Sequence, residues 1–272
     1  MAFIETSDGT SLFYYDWGSG KPVVFIHGWV LGADMWEYQT TFLADRGCRC
    51  VAYDSRGCGR SDKPGHGYDH DTLADDLAAV LEQLDLNEVT LVAHSMACGY
   101  VARYLSRHGS DRVARVALIG AMPPFPLEPA GNGDAADGNV FEGLMAALRE
   151  DRPHFVAISA PAFFTGSGSN GSVSPEILQW ASNLFMQASP KATIDMVPLM
   201  AGTDIRPDVG AFDMPTLIIH GDCDTNAPVE GARMAAQAIE GSELKVYEGA
   251  AHGLFFTEKE RLNRDLGAFI RS

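Results

Sequence analysis

Val89-Thr90-Leu91-Val92-Ala93-His94-Ser95-Met96-Ala97-Cys98-Gly99, followed by Tyr100-Val101-Ala102-Arg103-Tyr104-Leu105, is the stretch that decides the fold of this chain. An apolar strand-like run leads into a helix-like run, and a serine stands at the apex of the turn between them. In such an elbow the serine is held in a strained backbone conformation, so the residues two before and two after it must be small. Both are alanine, Ala93 and Ala97. The usual signature reads Gly-x-Ser-x-Gly; the alanines depart from its letter and meet its steric demand. A small-residue turn around a buried serine would read the same way, so the rest of the chain has to decide.

A serine hydroxyl is a weak nucleophile at neutral pH and needs a histidine base oriented by a carboxylate. Thr216-Leu217-Ile218-Ile219-His220 reads as a buried strand running into Gly221-Asp222-Cys223-Asp224, which places carboxylates at the carboxyl end of a sheet. Leu244-Lys245-Val246-Tyr247 is a later short strand leading into Glu248-Gly249-Ala250-Ala251-His252-Gly253. The order Ser95, Asp224, His252 is the one α/β-hydrolases use, unlike the orders of chymotrypsin-like and subtilisin-like folds. Stabilising an oxyanion takes the backbone N–H after the nucleophile, here Met96, and a second N–H from a loop after an earlier strand. Val23-Val24-Phe25-Ile26-His27-Gly28-Trp29 supplies that loop, and Gly28, lacking a Cβ, permits a turn that points the Trp29 N–H toward Ser95.

With these pieces in place the chain resembles the α/β-hydrolases of the cofactor-free haloperoxidase, perhydrolase and bacterial arylesterase group, over nearly its whole length. The matching segments are Asp8-Gly9-Thr10, Asp16-Trp17-Gly18-Ser19-Gly20, His27-Gly28-Trp29, Asp54-Ser55-Arg56-Gly57-Cys58-Gly59-Arg60-Ser61-Asp62, the elbow, His220-Gly221-Asp222-Cys223-Asp224 and Gly249-Ala250-Ala251-His252-Gly253. Two positions depart from the group: Ala97, where glycine is usual, and Val30, where perhydrolase-type members often carry proline. The second departure tilts the reading toward ordinary ester hydrolysis. Family spacing puts the working carboxylate three residues after the glycine, at Asp224 rather than Asp222.

Ala2 to Glu5 and Ser11 to Trp17, flanking Ser7-Asp8-Gly9-Thr10, predict an antiparallel hairpin. Strand signals recur at Val23 to Ile26, Arg49 to Tyr53, Val89 to Ala93, Val113 to Ile119, Thr216 to His220 and Leu244 to Tyr247, with helical signals between them. Leu73, Leu77, Val80, Leu81 and Leu84 predict a helix over Thr72 to Leu84, with Thr72 and Asp75 as a capping pair. The expected fold is α/β, a mostly parallel, doubly wound sheet with its reactive groups at the carboxyl ends of the strands. The segment between Ile119 and Thr216 is too long for a plain crossover. It predicts a helical cap at residues 122–205, with helices near Phe141 to Glu150 and Ile177 to Met186 and a flexible Thr165 to Ser174, on a core of residues 1–121 and 206–272. The cap is rich in large apolar side chains, and Phe125 and Phe163 are the expected walls of an apolar substrate pocket.

At 272 residues and 46% hydrophobic composition the chain suits one large domain with an insertion. A formal net charge of −16, without clustered Lys or Arg, argues against nucleic acid or an anionic membrane as partner. The start, Met1-Ala2-Phe3-Ile4-Glu5, has no basic and apolar leader pattern, and no apolar run is long enough to span a bilayer, so a cytoplasmic protein is expected. An odd count of cysteines, Cys48, Cys50, Cys58, Cys98 and Cys223, fits free thiols, with Cys48 and Cys50 on one strand face as small hydrophobes.

Other candidates fall away. His66, Asp69, His70 and Asp71 match no ligand spacing and read as a solvated loop. Gly57-Cys58-Gly59 lacks the third glycine of a dinucleotide loop. His94 reads as a packing residue of the elbow, and His27 and His220 as makers of structural hydrogen bonds. The expectation is a serine hydrolase of small to medium apolar carboxylic esters, with no metal or organic cofactor implied and a homo-oligomer possible. Perhydrolysis, lactone opening or amide cleavage on the same residues, and a silent ligand receptor on the same fold, are the alternatives.

Overall fold

The computed structural model describes residues 2–121, 138–166, 173–201 and 204–272. Eight strands form one sheet: β1 (Ala2–Glu5), β2 (Ser11–Gly18), β3 (Lys21–Ile26), β4 (Cys48–Tyr53), β5 (Val89–His94), β6 (Val113–Ile119), β7 (Thr216–Gly221) and β8 (Glu243–Tyr247), in the spatial order β1-β2-β4-β3-β5-β6-β7-β8. β1 and β2 form the antiparallel hairpin, β2 runs antiparallel to β4, and every later pairing is parallel. The hairpin turn closes where the Asp8 carboxylate accepts the Thr10 N–H at 3.1 Å and Gly9 takes a φ of +82°.

The central strands are apolar on both sides because both faces of the sheet are covered. Val24, Ile26, Val51, Leu91 and Ala93 face one core, while Val23, Phe25, Ala52 and Val92 face the other. Cys48 and Cys50 share that second face, and burial pushes the Cys50 thiol up to about 12, so it behaves as a small hydrophobe there. Helices α1 (Glu37–Ala44), α2 (His70–Gln83) and α3 (Ala97–His108) follow the first strands. Between β6 and β7 come α4 (Gly138–Thr165), α5 (Pro175–Met186), α6 (Pro190–Asp195), α7 (Val197–Ala201) and α8 (Arg206–Val209). Then follow α9 (Val229–Ala238), α10 (Leu254–Thr257) and α11 (Lys259–Arg271). Among the described residues no helix is long and apolar enough to cross a membrane.

Two helix boundaries differ from expectation. α2 begins at His70, not Thr72, because the extended Asp69 accepts the Thr72 N–H on its carboxylate at 2.8 Å and is itself the cap. That turns the expected solvated His/Asp loop into a helix start with His70 buried. α4 extends well past Glu150: it breaks at Asp151 (φ −151°), whose carboxylate accepts the His154 N–H at 3.0 Å, and a second helical stretch restarts there. Pro153 is tolerated because it sits in the first turn of that restart, where its missing N–H has no partner to lose.

The loop after β3 is tied down at both ends by the residues after β4. Ser55 donates its N–H to His27 Nε2 at 2.9 Å, and the His27 Nδ1–H donates to the Gly28 carbonyl at 2.7 Å. Six residues on, the buried Asp54 carboxylate accepts the Ala33 N–H at 2.6 Å and the Arg60 N–H at 2.8 Å. Residues 28–32 are therefore held between two fixed points.

Candidate active site

Ser95 stands between β5 and α3 with a φ of +56°. That is a left-handed conformation a non-glycine residue adopts only where its surroundings hold it. Its N–H donates to the Ile119 carbonyl at 2.9 Å, and its own carbonyl accepts the Cys98 N–H at 3.0 Å. Ala93 and Ala97 are fully buried, which is why neither can be larger. Gly28 is packed just as closely: a Cβ there would lie 3.2 Å from the Ser95 Cβ and overlap the His94 ring.

The structure brings Ser95, His252 and Asp224 together from three separate loops. The His252 Nδ1–H donates to Asp224 Oδ2 at 2.6 Å, and a carboxylate oxygen only accepts, so Nδ1 carries the proton. Nε2 is then bare and accepts from the Ser95 hydroxyl at 2.9 Å. The other Asp224 oxygen takes the N–H groups of Asn226 and Ala227, both at 2.8 Å. Burial pushes the Asp224 carboxyl up, but the attraction and hydrogen bond of His252, the Ala227 N–H and the nearby His220 outweigh it and hold it below the usual carboxylate range. Ser95 is only 3% exposed and His252 4%, so the hydroxyl and its base lie in a site from which bulk water is largely excluded. Asp222 is not part of this group; its carboxylate accepts the Gly249 N–H at 2.7 Å on the outside of the loop.

Trp29 lies on the loop after β3, next to Gly28, and Met96 follows Ser95 at the head of α3. Among the described residues neither backbone N–H donates to a protein acceptor. The Trp29 indole N–H donates to the Thr193 carbonyl of α6 at 3.1 Å, and its ring meets Phe185 of α5 edge to face at 5.1 Å. Phe163, near the end of α4, stands edge to face with the His252 ring at 5.2 Å. Phe125, the other expected pocket wall, lies outside the described residues. Among the described residues no group of three His, Cys, Asp or Glu side chains is arranged to hold a metal ion.

Several contacts have no counterpart in the sequence reading. The end of α4 is wedged between the acid and base loops: the Phe163 carbonyl accepts the Gly253 N–H at 2.7 Å, and a Cβ on Gly166 (φ +53°) would overlap the Cys223 carbonyl. The only sequence signal was Gly166 itself, inside a stretch that reads as flexible. Asp54 was legible as part of a matching segment but not as the anchor of the Trp29 loop. His94, beyond packing in the elbow, has its Nε2 3.1 Å from the His252 carbonyl oxygen. His220, 3.5 Å from Asp224 Oδ2, donates from Nε2 to the Ala227 carbonyl at 2.7 Å.

A strained serine between a parallel strand and a helix, facing a histidine and an aspartate that follow it in the chain, defines the α/β-hydrolase class. The chain belongs to that family: residues 21–259 match the sequence profile described as the alpha/beta hydrolase fold. It is 41% identical to the non-heme haloperoxidase of Rhodococcus erythropolis over 274 residues, covering all of both chains. Among solved structures it resembles the bromoperoxidase of Bacillus anthracis (37% identity, TM-score 0.94) and an esterase of Exiguobacterium antarcticum (34% identity, TM-score 0.94). Each alignment covers 100% of this chain and 99% of the other.

Proposed function

We propose that this protein is a serine hydrolase that cleaves small to medium, apolar carboxylic esters through an acyl-enzyme. The observation that carries the reading is the hydrogen-bond relay from the Ser95 hydroxyl through His252 to Asp224, at 2.9 and 2.6 Å, built on a strained and almost fully buried serine. Ser95 Oγ attacks the ester carbonyl as its proton passes to His252 Nε2; Asp224 fixes the tautomer and steadies the imidazolium. The negative charge on the carbonyl oxygen is met by the N–H groups of Trp29 and Met96. His252 returns the proton to the leaving alcohol, and the Ser95 ester is then hydrolysed by a water that His252 deprotonates. In this reading residues 122–205 are a cap that keeps water off the site, and Phe163 is an apolar wall beside the base.

The likeness to an esterase supports hydrolysis, and the likeness to haloperoxidases supports a second use of the same acyl-enzyme. Hydrogen peroxide in place of water would release a peracid. Val30 favours the first: its φ of +51° is out of reach of proline, whose ring fixes φ near about −65°. A loop shaped for proline at this position would therefore run differently.

The test is the hydrolysis of aryl esters of increasing acyl length by wild type and Ser95→Ala, side by side at neutral pH. Turnover by wild type that falls by about ten-thousandfold or more in the variant is the expected result. Near-wild-type rates in Ser95→Ala would overturn the mechanism. Equal, negligible rates in both would overturn the ester assignment in favour of a lactone or amide substrate, or of a ligand receptor. Peracid formed faster than acid from the same acyl-enzyme would favour the second reading.

A further inference from the structure

His94 is a buried titratable group at the heart of the site for which the proposed reaction has no task. It immediately precedes Ser95, is fully buried, and its ring centroid lies 4.8 Å from that of His252. Its Nε2 is 3.1 Å from the main-chain carbonyl oxygen of His252. Because a carbonyl only accepts, Nε2 must carry the proton, which leaves Nδ1 as a bare acceptor. Among the described residues Nδ1 has no partner, and it faces Gly28, where even a Cβ would overlap it. Trp36, Phe163 and Phe255 close round the ring, edge to face at 6.2, 6.3 and 5.4 Å. A phenylalanine would fill such an apolar shell without stranding a nitrogen, so the histidine's one satisfied bond calls for an explanation. That bond ends on the backbone of the base, and the described residues supply that carbonyl with no other donor.

We propose that His94 is a positioning residue for the base: its Nε2–H holds the His252 carbonyl and so fixes the imidazole at the height where it meets both Ser95 and Asp224. This rests on the assignment of His252 as the base of the reaction. The donor must also be uncharged, because His252 becomes an imidazolium during each acyl transfer and a second cation beside it would oppose that charge. The titratable groups facing His94 are His252 and His220, which disfavour a proton on it, and Asp224, which favours one. Burial dominates, with the His252 charge next, and pushes His94 down to about 3. A neutral histidine is thus a hydrogen-bond donor that keeps its proton and takes up no second one across the range where the base works.

The test compares His94→Phe, which keeps a planar ring and removes the donor, with His94→Gln, which restores a neutral N–H. Kinetics on one aryl ester separate kcat from KM, and Ser95→Ala is measured alongside. His94→Phe is expected to lower kcat by about tenfold to a hundredfold with KM within about twofold, the signature of a displaced base rather than a lost pocket. His94→Gln is expected to return kcat to within about threefold of wild type. Wild-type kcat in His94→Phe, or a His94→Gln enzyme as slow as His94→Phe, would overturn the proposal. Should the substitutions prevent folding, ring-nitrogen NMR of the wild-type protein decides: an Nε2–H tautomer unchanged from about pH 5 to 8 supports it. An Nδ1–H tautomer, or a ring that titrates in that range, overturns it. Because the NMR result does not depend on turnover, activity that survives Ser95→Ala would sink the esterase reading without being mistaken for a failure of His94.

Discussion

Ser95, His94 and Gly28 are packed so that none of the three tolerates a larger neighbour. Gly28→Ala puts a methyl group into the His94 ring and against the Ser95 Cβ, so either the loop carrying Trp29 retreats or the ring shifts and draws the His252 carbonyl with it. Displacing reacting groups by an ångström costs about a hundredfold in rate. The expected outcome is thus a fall in kcat of that order in ester-hydrolysis kinetics, with a folded protein by circular dichroism; full activity in Gly28→Ala would contradict this packing. At this scale the sequence was most readable where chemistry limits the residue type. Serine, aspartate and histidine in hydrolase order could be named because their order along the chain is the clue. The hydrogen bond from His94 could not, since it joins residues 158 apart and depends on how β5 and the loop after β8 meet in space.

The central strands were readable almost to the residue, because β3, β5 and β7 are largely apolar runs in the parallel part of the sheet, which buries both of their faces. The helices were less so. Pro153 and Pro161 disguise the second half of α4, and the cap of α2 is a carboxylate one residue outside the helix rather than a pair within it. What the pattern concealed is the placement of α4's end: Phe163 holds the base loop, and Gly166 lies flush against the acid loop. Gly166→Ala combines a φ of +53° with a methyl group overlapping the Cys223 carbonyl, one residue from Asp224. The expected result is a loss of stability of about 1–3 kcal/mol in denaturant unfolding, together with a lower kcat. Unchanged stability and turnover would show that the acid loop does not depend on this contact.

For the molecule as a whole, four histidines besides His252 are buried, His27, His70, His94 and His220, and burial lowers the pKa of each below the ordinary 6.5. Below that value the unfolded chain takes up protons at these positions and the folded protein does not, so stability falls as pH drops. For His94 alone the loss between pH 7.5 and 5.5 is on the order of 1 kcal/mol. Asp76, lifted to about 6 by burial against the pull of Arg56, and Glu37, also raised by burial, act the other way, but as two groups against four. Calorimetry should therefore show Tm declining from about pH 7.5 to 5.5, and a flat profile would contradict the burial of these rings. The wedge at the end of α4 also bears on how such enzymes can be rebuilt. If residues 122–205 serve as the proposed cap, exchanging them between two relatives to transplant a substrate preference would also exchange the Phe163 carbonyl and the Gly166 that pack against the Gly253 and Cys223 loops. On the proposed mechanism, a chimaera that keeps residues 163–166 native to its recipient, and swaps only what precedes or follows them, is expected to hold His252 in place better than one cut at the outer boundaries.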